Sequence, residues 1–243
     1  MMQSLKNQIA VVTGASSGIG KSIALELAKK EVILCLLGRN SVTLQEVADQ
    51  VKKSTRHVNC YQVDLSKDQE ITDFGKSITK RFDGINLLVH CAGAYSAGPL
   101  ESASIADFDW QYKTNVRGPY LLTQVLLSLL KSTKGDIVFI NSSAVLQANA
   151  RLSQYTASKQ ALRAVADSIR QEINAEGIRV LSVYPGRTAS PMQEAIFKAE
   201  GREYNPELLI QPQDLAMMIS NIICLPRTTE VTDIFLRPMI KPA

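Results

Sequence analysis

The sequence predicts an α/β fold: one doubly wound parallel sheet of about seven strands, with helices on both faces. Three observations carry that expectation. Short apolar runs alternate with longer amphipathic runs from end to end. The short runs are apolar almost throughout, as strands covered on both faces are. No repeat, low-complexity tract or Pro/Gly-rich linker divides the 243 residues, so 1–243 reads as a single domain.

The elements follow in order. Ile9–Val12 reads as a buried strand and Gly18–Lys29 as a helix, with Ile23, Ala24, Leu27 and Ala28 on one face. Val32–Leu37 and Asn59–Val63 are strands, separated by the helical run Val42–Lys53. Lys67–Arg81 is helical and Ile85–His90 extended. Ser104–Lys131 reads as one long helix interrupted by Pro119. Proline has no N–H for the carbonyl of Asn115, so a kink is predicted there, with a free carbonyl able to hold a water. Strand Asp136–Asn141, helix Ser153–Ala175, strand Arg179–Tyr184, helix Gln213–Leu225 and strand Val231–Leu236 complete the series. Pro185 to Pro212, with Gly186, Pro191, Gly201 and Pro206, reads as a long irregular segment. It follows a strand, where ligands sit in open α/β sheets, and residues 187–211 are expected to form a lid.

Between the first strand and the first helix stands Thr13-Gly14-Ala15-Ser16-Ser17-Gly18-Ile19-Gly20. Strand, glycine turn and helix form the context of a dinucleotide site, which makes the predicted fold Rossmann-like. Gly14 permits a tight turn, Gly18 a close backbone approach and Gly20 close helix–strand packing. N–H groups at the helix start then hold a pyrophosphate. Ser16 and Ser17 either bond phosphate or cap the helix. Gly14-Ala15-Ser16-Ser17-Gly18 also fits the nucleophile elbow of hydrolases, which needs a histidine late in the chain, after an acid. The histidines are His57 and His90, and none follows, so that chemistry is excluded.

The second strand ends in Gly38-Arg39-Asn40. An acid there would accept from the ribose hydroxyls of NAD, whereas a guanidinium forks onto a 2′-phosphate. Arg39 therefore points to NADP(H), with NAD(H) the less favoured cofactor. Asp64, before Leu65 at the end of the third strand, could accept from an adenine amino group or cap the next helix.

Tyr155 and Lys159 lie one helical turn apart. An ammonium beside a phenol favours the phenolate, so Lys159 is expected to lower the Tyr155 pKa into a range useful for acid–base chemistry. Ser142, thirteen residues before Tyr155, ends a buried strand, from which its hydroxyl could reach the same substrate oxygen.

Composition narrows the classes. A 45% hydrophobic chain can bury a substantial core, and its net charge of +4 is modest. The basic residues are scattered, so nucleic acid is not an expected partner. Cys35, Cys60, Cys91 and Cys224 lack CxxC spacing and read as buried free thiols, with no metal site expected. The longest apolar run, Tyr120 to Leu130, is interrupted by Thr123, Gln124 and Ser128, so no membrane span is expected. The chain reads as soluble and cytoplasmic.

Taken jointly, these motifs resemble the short-chain dehydrogenase/reductase (SDR) family over essentially the whole length. The glycine segment fits its cofactor signature, and Asn115, Ser142, Tyr155 and Lys159 fall at its four catalytic positions. Pro185-Gly186 matches the segment that covers the nicotinamide, with Thr188 and Ser190 in the following loop. Ala92 and Gly93 match residues beside the adenosine ribose. The resemblance implies reversible hydride transfer between NADP(H) and a small carbonyl or secondary alcohol. Tyr155 would be the acid/base, Lys159 would bond the nicotinamide ribose, Ser142 would stabilise the alkoxide, and the Asn115 carbonyl would hold a water linking Lys159 to solvent. It also implies a homodimer or homotetramer through the long helices. Leu121, Leu122, Val125, Leu126 and Leu129 serve either that interface or the core.

Two departures stand out. His90-Cys91 replaces the usual Asn-Asn, which leaves open what makes that strand end rigid. Ser17 stands where many NADP-preferring members carry a basic residue, leaving Arg39 as the main phosphate anchor. Tyr95, Leu146, Gln147, Gln154, Tyr184 and Met192 are candidate substrate-lining residues. They do not choose between a general carbonyl reductase, a 3-oxoacyl-carrier-protein reductase and a dehydrogenase of small hydroxy acids or sugars. A non-catalytic NADPH-sensing regulator is the alternative from another class.

Overall fold

The computed structural model describes residues 3–55 and 57–240. Its strands are β1 Ile9–Thr13, β2 Ile33–Gly38, β3 Val58–Gln62, β4 Leu87–His90, β5 Asp136–Ile140, β6 Arg179–Pro185 and β7 Asp233–Leu236. They form one sheet in the order β3-β2-β1-β4-β5-β6-β7, and every pairing is parallel. The helices are α1 Gly18–Lys29, α2 Ser41–Val51, α3 Asp68–Thr79, α4 Ile105–Tyr112, α5 Gly118–Thr133, α6 Ser153–Ile173, α7 Pro191–Ala199 and α8 Pro212–Ile223. This is the expected Rossmann-like α/β fold.

The strand pleat divides the core in two. Ala10, Val12, Leu34, Leu36 and Val89 face α1, α2 and α8. Val11, Cys35, Leu37, Leu88 and Phe139 face α3, α5 and α6. Successive side chains point to opposite faces, and both faces are covered, so the strands are apolar at nearly every position. Chain order reverses between β1 and β4, opening a crevice at the strands' C-terminal ends.

Three sequence expectations need correction. The run expected over Ser104–Lys131 is helical without a break from Ile105 to Thr133, but the simple proline kink is replaced by a π-helical turn over Lys113–Arg117, with Pro119 in the first turn of α5. Proline is tolerated there because the first N–H groups of a helix lack intrahelical acceptors. The segment after β6 is not irregular throughout: it contains α7 and a short turn over Pro206–Leu208. Ser190 caps α7, its Oγ accepting from the Gln193 N–H at 3.2 Å, and Pro191 begins the helix. Of the two readings left open for the leucines of α5, the core holds: Leu122, Leu126 and Leu129 are buried beneath it, with Leu121 and Val125 packed against them. Among the cysteines, all free, Cys60 is exposed because β3 is the sheet edge.

Candidate active site

The crevice is a cleft of about 860 Å³. Gly14, Ser16, Ser17, Gly18, Ile19 and Gly20 line it from the β1–α1 turn, and Arg39, Asp64 and Leu65 from the ends of β2 and β3. Ala92 and Gly93 line it after β4, Ser142 after β5, Tyr155 and Lys159 from α6, and Pro185, Gly186, Thr188 and Ser190 after β6. Of the residues singled out from the sequence for chemistry or cofactor contact, Asn115 alone is not in the wall. It is fully buried behind it.

Backbone proximity explains the glycines. Gly14 has φ +63°, and a Cβ on it would lie 2.8 Å from the Ala92 backbone. A Cβ on Gly20 would lie 2.3 Å from the Gly14 carbonyl oxygen, so α1 packs directly on its own turn. Ser17 is the residue preceding α1, but its hydroxyl makes no capping bond and remains available to a ligand.

The strand end bearing His90-Cys91 is held by other groups. The Thr13 hydroxyl oxygen accepts from the Cys91 and Ala92 N–H groups at 2.9 and 3.0 Å. His90 Nε2 lies 2.8 Å from Thr123 Oγ1, and its ring stacks on Phe139 with centroids 4.7 Å apart. Burial pushes the His90 pKa down to about 3, so the ring is neutral.

Arg39 is exposed at the end of β2, its guanidinium carbon 6.0 Å from the centre of the Trp110 ring. It forms no ion pair among the described residues. Asp64 Oδ1 accepts from the N–H and hydroxyl of Ser66 at 2.9 and 2.8 Å. It shapes the turn into α3, whereas the capping position is Lys67.

At the other end, Tyr155 is half-buried in the first turn of α6. Lys159 is 4% exposed, with Nζ 5.9 Å from the centre of the Tyr155 ring and donating to the Ile140 carbonyl at 3.2 Å. Ser142 sits beside the phenol, and its Oγ accepts from the Ala144 N–H at 3.1 Å. The electrostatics differ from the expectation. Burial dominates and pushes the Tyr155 pKa up, with the Ser142 hydrogen bond opposing it, and no lowering by Lys159 emerges. Burial likewise lowers Lys159 to about 8. Nζ lies 5.9 Å from the ring centre, and the loss of water around the phenol outweighs its influence.

Asn115 acts through its side chain. Nδ2 donates to the Ala94 carbonyl at 2.9 Å and to Ser158 Oγ at 3.0 Å, while Oδ1 accepts from the Ala94 N–H at 2.7 Å. Ser158 in turn donates to the Tyr155 carbonyl at 2.7 Å. The π-helical turn, the strand-end loop and the start of α6 are thereby tied together; π-turns recur at functional sites. Ser158 and Asn141, whose Nδ2 donates to the Lys159 carbonyl at 3.2 Å, were not foreseen. Their place beside Tyr155, Lys159 and Ser142 was the available signal.

Of the candidate substrate-lining residues, Tyr95, Leu146, Gln147 and Met192 line the cleft. Tyr95 meets the Tyr155 ring edge-on at 5.0 Å. Tyr184 does not: it is fully buried and stacked on Phe235 at 4.4 Å. Gln154 is turned aside, accepting from Gln111 and donating to the Ser104 carbonyl. Arg187, Ile196, Glu200 and Arg237 line this end unforeseen.

The chain matches the short chain dehydrogenase family over residues 8–201. It belongs to the short-chain dehydrogenase/reductase family. This SDR protein is similar to an uncharacterized oxidoreductase of Staphylococcus epidermidis, 28% identical over 98% of this chain and 100% of the relative. It also resembles a metagenomic short-chain oxidoreductase solved in complex with NADP: 27% identity, TM-score 0.85, 98% of this chain and 100% of that one. A protein from Escherichia coli CFT073 complexed with NADPH is 26% identical, with TM-score 0.86 over 97% of this chain and 99% of that one. The SDR chain is thus an oxidoreductase by family. Among the described residues, no helix is long and apolar enough to cross a membrane.

Proposed function

We propose that this SDR enzyme interconverts a carbonyl and a secondary alcohol with NADP(H). The observation that carries the reading is the convergence of Ser142, Tyr155 and Lys159 on the cleft whose far end is the glycine cradle. The residues fit the cofactor. A side chain at Gly14 or Gly20 would collide with backbone, Ser17 has an unspent hydroxyl, and Arg39 is a cation without an ion partner among the described residues. The first three suit a pyrophosphate approached by backbone N–H groups, and Arg39 suits a 2′-phosphate. The relatives that hold NADP or NADPH support the same choice.

The glycine turn, Tyr155 and Lys159 would hold a nicotinamide nucleotide in the cleft, and it would supply or accept the hydride exchanged with the carbonyl or alcohol carbon. Tyr155 gives the proton to the carbonyl oxygen in reduction and removes it in oxidation. Its raised pKa keeps the phenol protonated at neutral pH, which suits it as a proton donor. Ser142 donates to the oxygen as negative charge develops. Lys159 holds the ribose and passes a proton to Tyr155. We assign the water that reconnects Lys159 to solvent to the Asn115 carbonyl. A Cβ on Gly93 would lie 3.7 Å from Asn115 Oδ1 and 4.0 Å from Lys159 Nζ, so the two residues flank one glycine. Residues 187–211, with α7, act as the lid of a single-domain enzyme working as a homodimer or homotetramer in the cytoplasm.

The test is NADPH oxidation followed by absorbance against β-ketoacyl thioesters, α-dicarbonyls, aldehydes, ketosteroids and sugar-derived ketones, repeated with NADH. Tyr155→Phe should lower turnover by about 10²–10⁴-fold while retaining NADPH binding. Undiminished turnover in that variant would remove Tyr155 from its role.

A further inference from the structure

The substrate end of the cleft carries an excess of cation. Arg187 follows Gly186 and projects among cleft-lining residues. Its Nη2 donates to both carboxylate oxygens of Glu200 at 3.2 and 3.0 Å, and its guanidinium lies over the Phe197 ring at 4.7 Å. Its Nη1 is buried and makes no hydrogen bond. A buried guanidinium nitrogen without an acceptor is costly and rare in a folded protein. Glu200 cannot supply a second charge, because it also accepts from Arg202 Nη1 at 3.0 Å. Arg237, exposed on the same wall, has no ion partner among the described residues. Tyr95, in contact with Tyr155, lies within the fields of both Arg187 and Glu200.

We propose that the substrate is an oxo acid, or the corresponding hydroxy acid, whose carboxylate is bound by Arg187 with Arg237 beside it. The inference rests on the carbonyl-reductase reading and narrows it to a substrate class. Arginine presents N–H groups in a planar fork matched to a carboxylate; Glu200 takes Nη2 only, and the side chain, 32% exposed, keeps donors beyond it. Leu146, Met192 and Ile196 line the same end of the cleft and suit a short hydrocarbon between carbonyl and carboxylate. Arg187 is a specificity-determining residue here, distinct from the proton-transferring group.

The experiment uses the full chain with NADPH and straight-chain oxo acids that differ in carbonyl–carboxylate spacing, each beside its methyl ester. At the best spacing the acid should be preferred in kcat/KM by about tenfold or more. Arg187→Gln should reduce that preference by about tenfold or more, Arg187→Lys should retain part of it, and added salt should compress it. A second readout needs no turnover. Hexanoate, but not hexanamide, should raise the melting temperature of the NADP-loaded enzyme, and Arg187→Gln should abolish the rise. Equal turnover of acids and esters with no stabilisation by hexanoate overturns the anion site and leaves the reductase reading standing. An equal loss for acid and ester in Arg187→Gln also overturns it, reducing Arg187 to a tie for α7. Stabilisation by hexanoate that depends on Arg187, with no carbonyl reduced, upholds the anion site and removes the reductase reading.

Discussion

Asn115 donates to Ser158 across forty-three residues of chain, at 3.0 Å, with both side chains buried. The bond ties the π-helical turn to the helix that carries Tyr155 and Lys159. The same Asn115 side chain satisfies the N–H and carbonyl of Ala94. Asn115→Ala would leave those buried groups unpaired, at about 1–3 kcal/mol for each. The expected result is a lower denaturation midpoint together with reduced kcat. An unchanged midpoint would show that solvent enters and replaces the lost bonds.

In the proposed mechanism the raised pKa of Tyr155 should give opposite pH profiles to the two reaction directions. Carbonyl reduction needs the phenol, so its rate should be flat around neutrality and fall only in alkaline solution. Alcohol oxidation needs the phenolate, so its rate should climb with pH through the same range. Initial rates in both directions, measured in one buffer series, test this. Oxidation that already plateaus at neutral pH would mean Lys159 lowers Tyr155 after all.

Lys159 gives a stability signature. Its pKa is about 8 in the folded state against 10.5 unfolded. Between those values the unfolded chain binds the extra proton, so wild-type stability rises with pH there. Below about pH 8 the buried ammonium is a cost. Lys159→Met should therefore raise the melting temperature by about 2–4 °C per kcal/mol recovered at pH 7. That gain should shrink as pH climbs from 8 towards 10.5. A variant that melts lower than wild type at pH 7 would mean the bond to the Ile140 carbonyl outweighs desolvation.

The proposed preference for NADP(H) rests on Arg39. A charge-assisted bond to a 2′-phosphate contributes about 1.5–3 kcal/mol. Arg39→Gln should accordingly weaken NADPH binding by roughly tenfold to a hundredfold, with NADH binding little altered. Fluorescence titration of each reduced cofactor measures it. Equal losses for both would place Arg39 outside 2′-phosphate recognition.

Much of the fold was legible because its signals are local. A buried parallel strand writes an apolar run, and α1 writes its spacing into Ile23, Ala24 and Leu27. The glycine turn was readable because each glycine answers a constraint within a few residues or at the adjacent strand end. Tyr155 and Lys159 were readable together because one helical turn joins them. The π-helical turn was hidden: Pro119 announces a broken hydrogen bond but not how the chain absorbs it. A cap signal for α7 was present in Ser190-Pro191, and the surrounding glycines and prolines obscured it.

The order of α and β elements, the glycine turn and the placing of Tyr155 one helical turn before Lys159 were determined by the sequence alone, since each depends on near neighbours along the chain. Tertiary structure decided what depends on burial and distant partners. It drew Tyr184 into the core, where a strand covered on both faces has no alternation to mark a ligand-facing side. It gave His90 a partner in Thr123, and it left one nitrogen of Arg187 facing no acceptor. It also raised the Tyr155 pKa where a lowering was expected, because desolvation acts on every charge enclosed by the fold and no residue spacing records it.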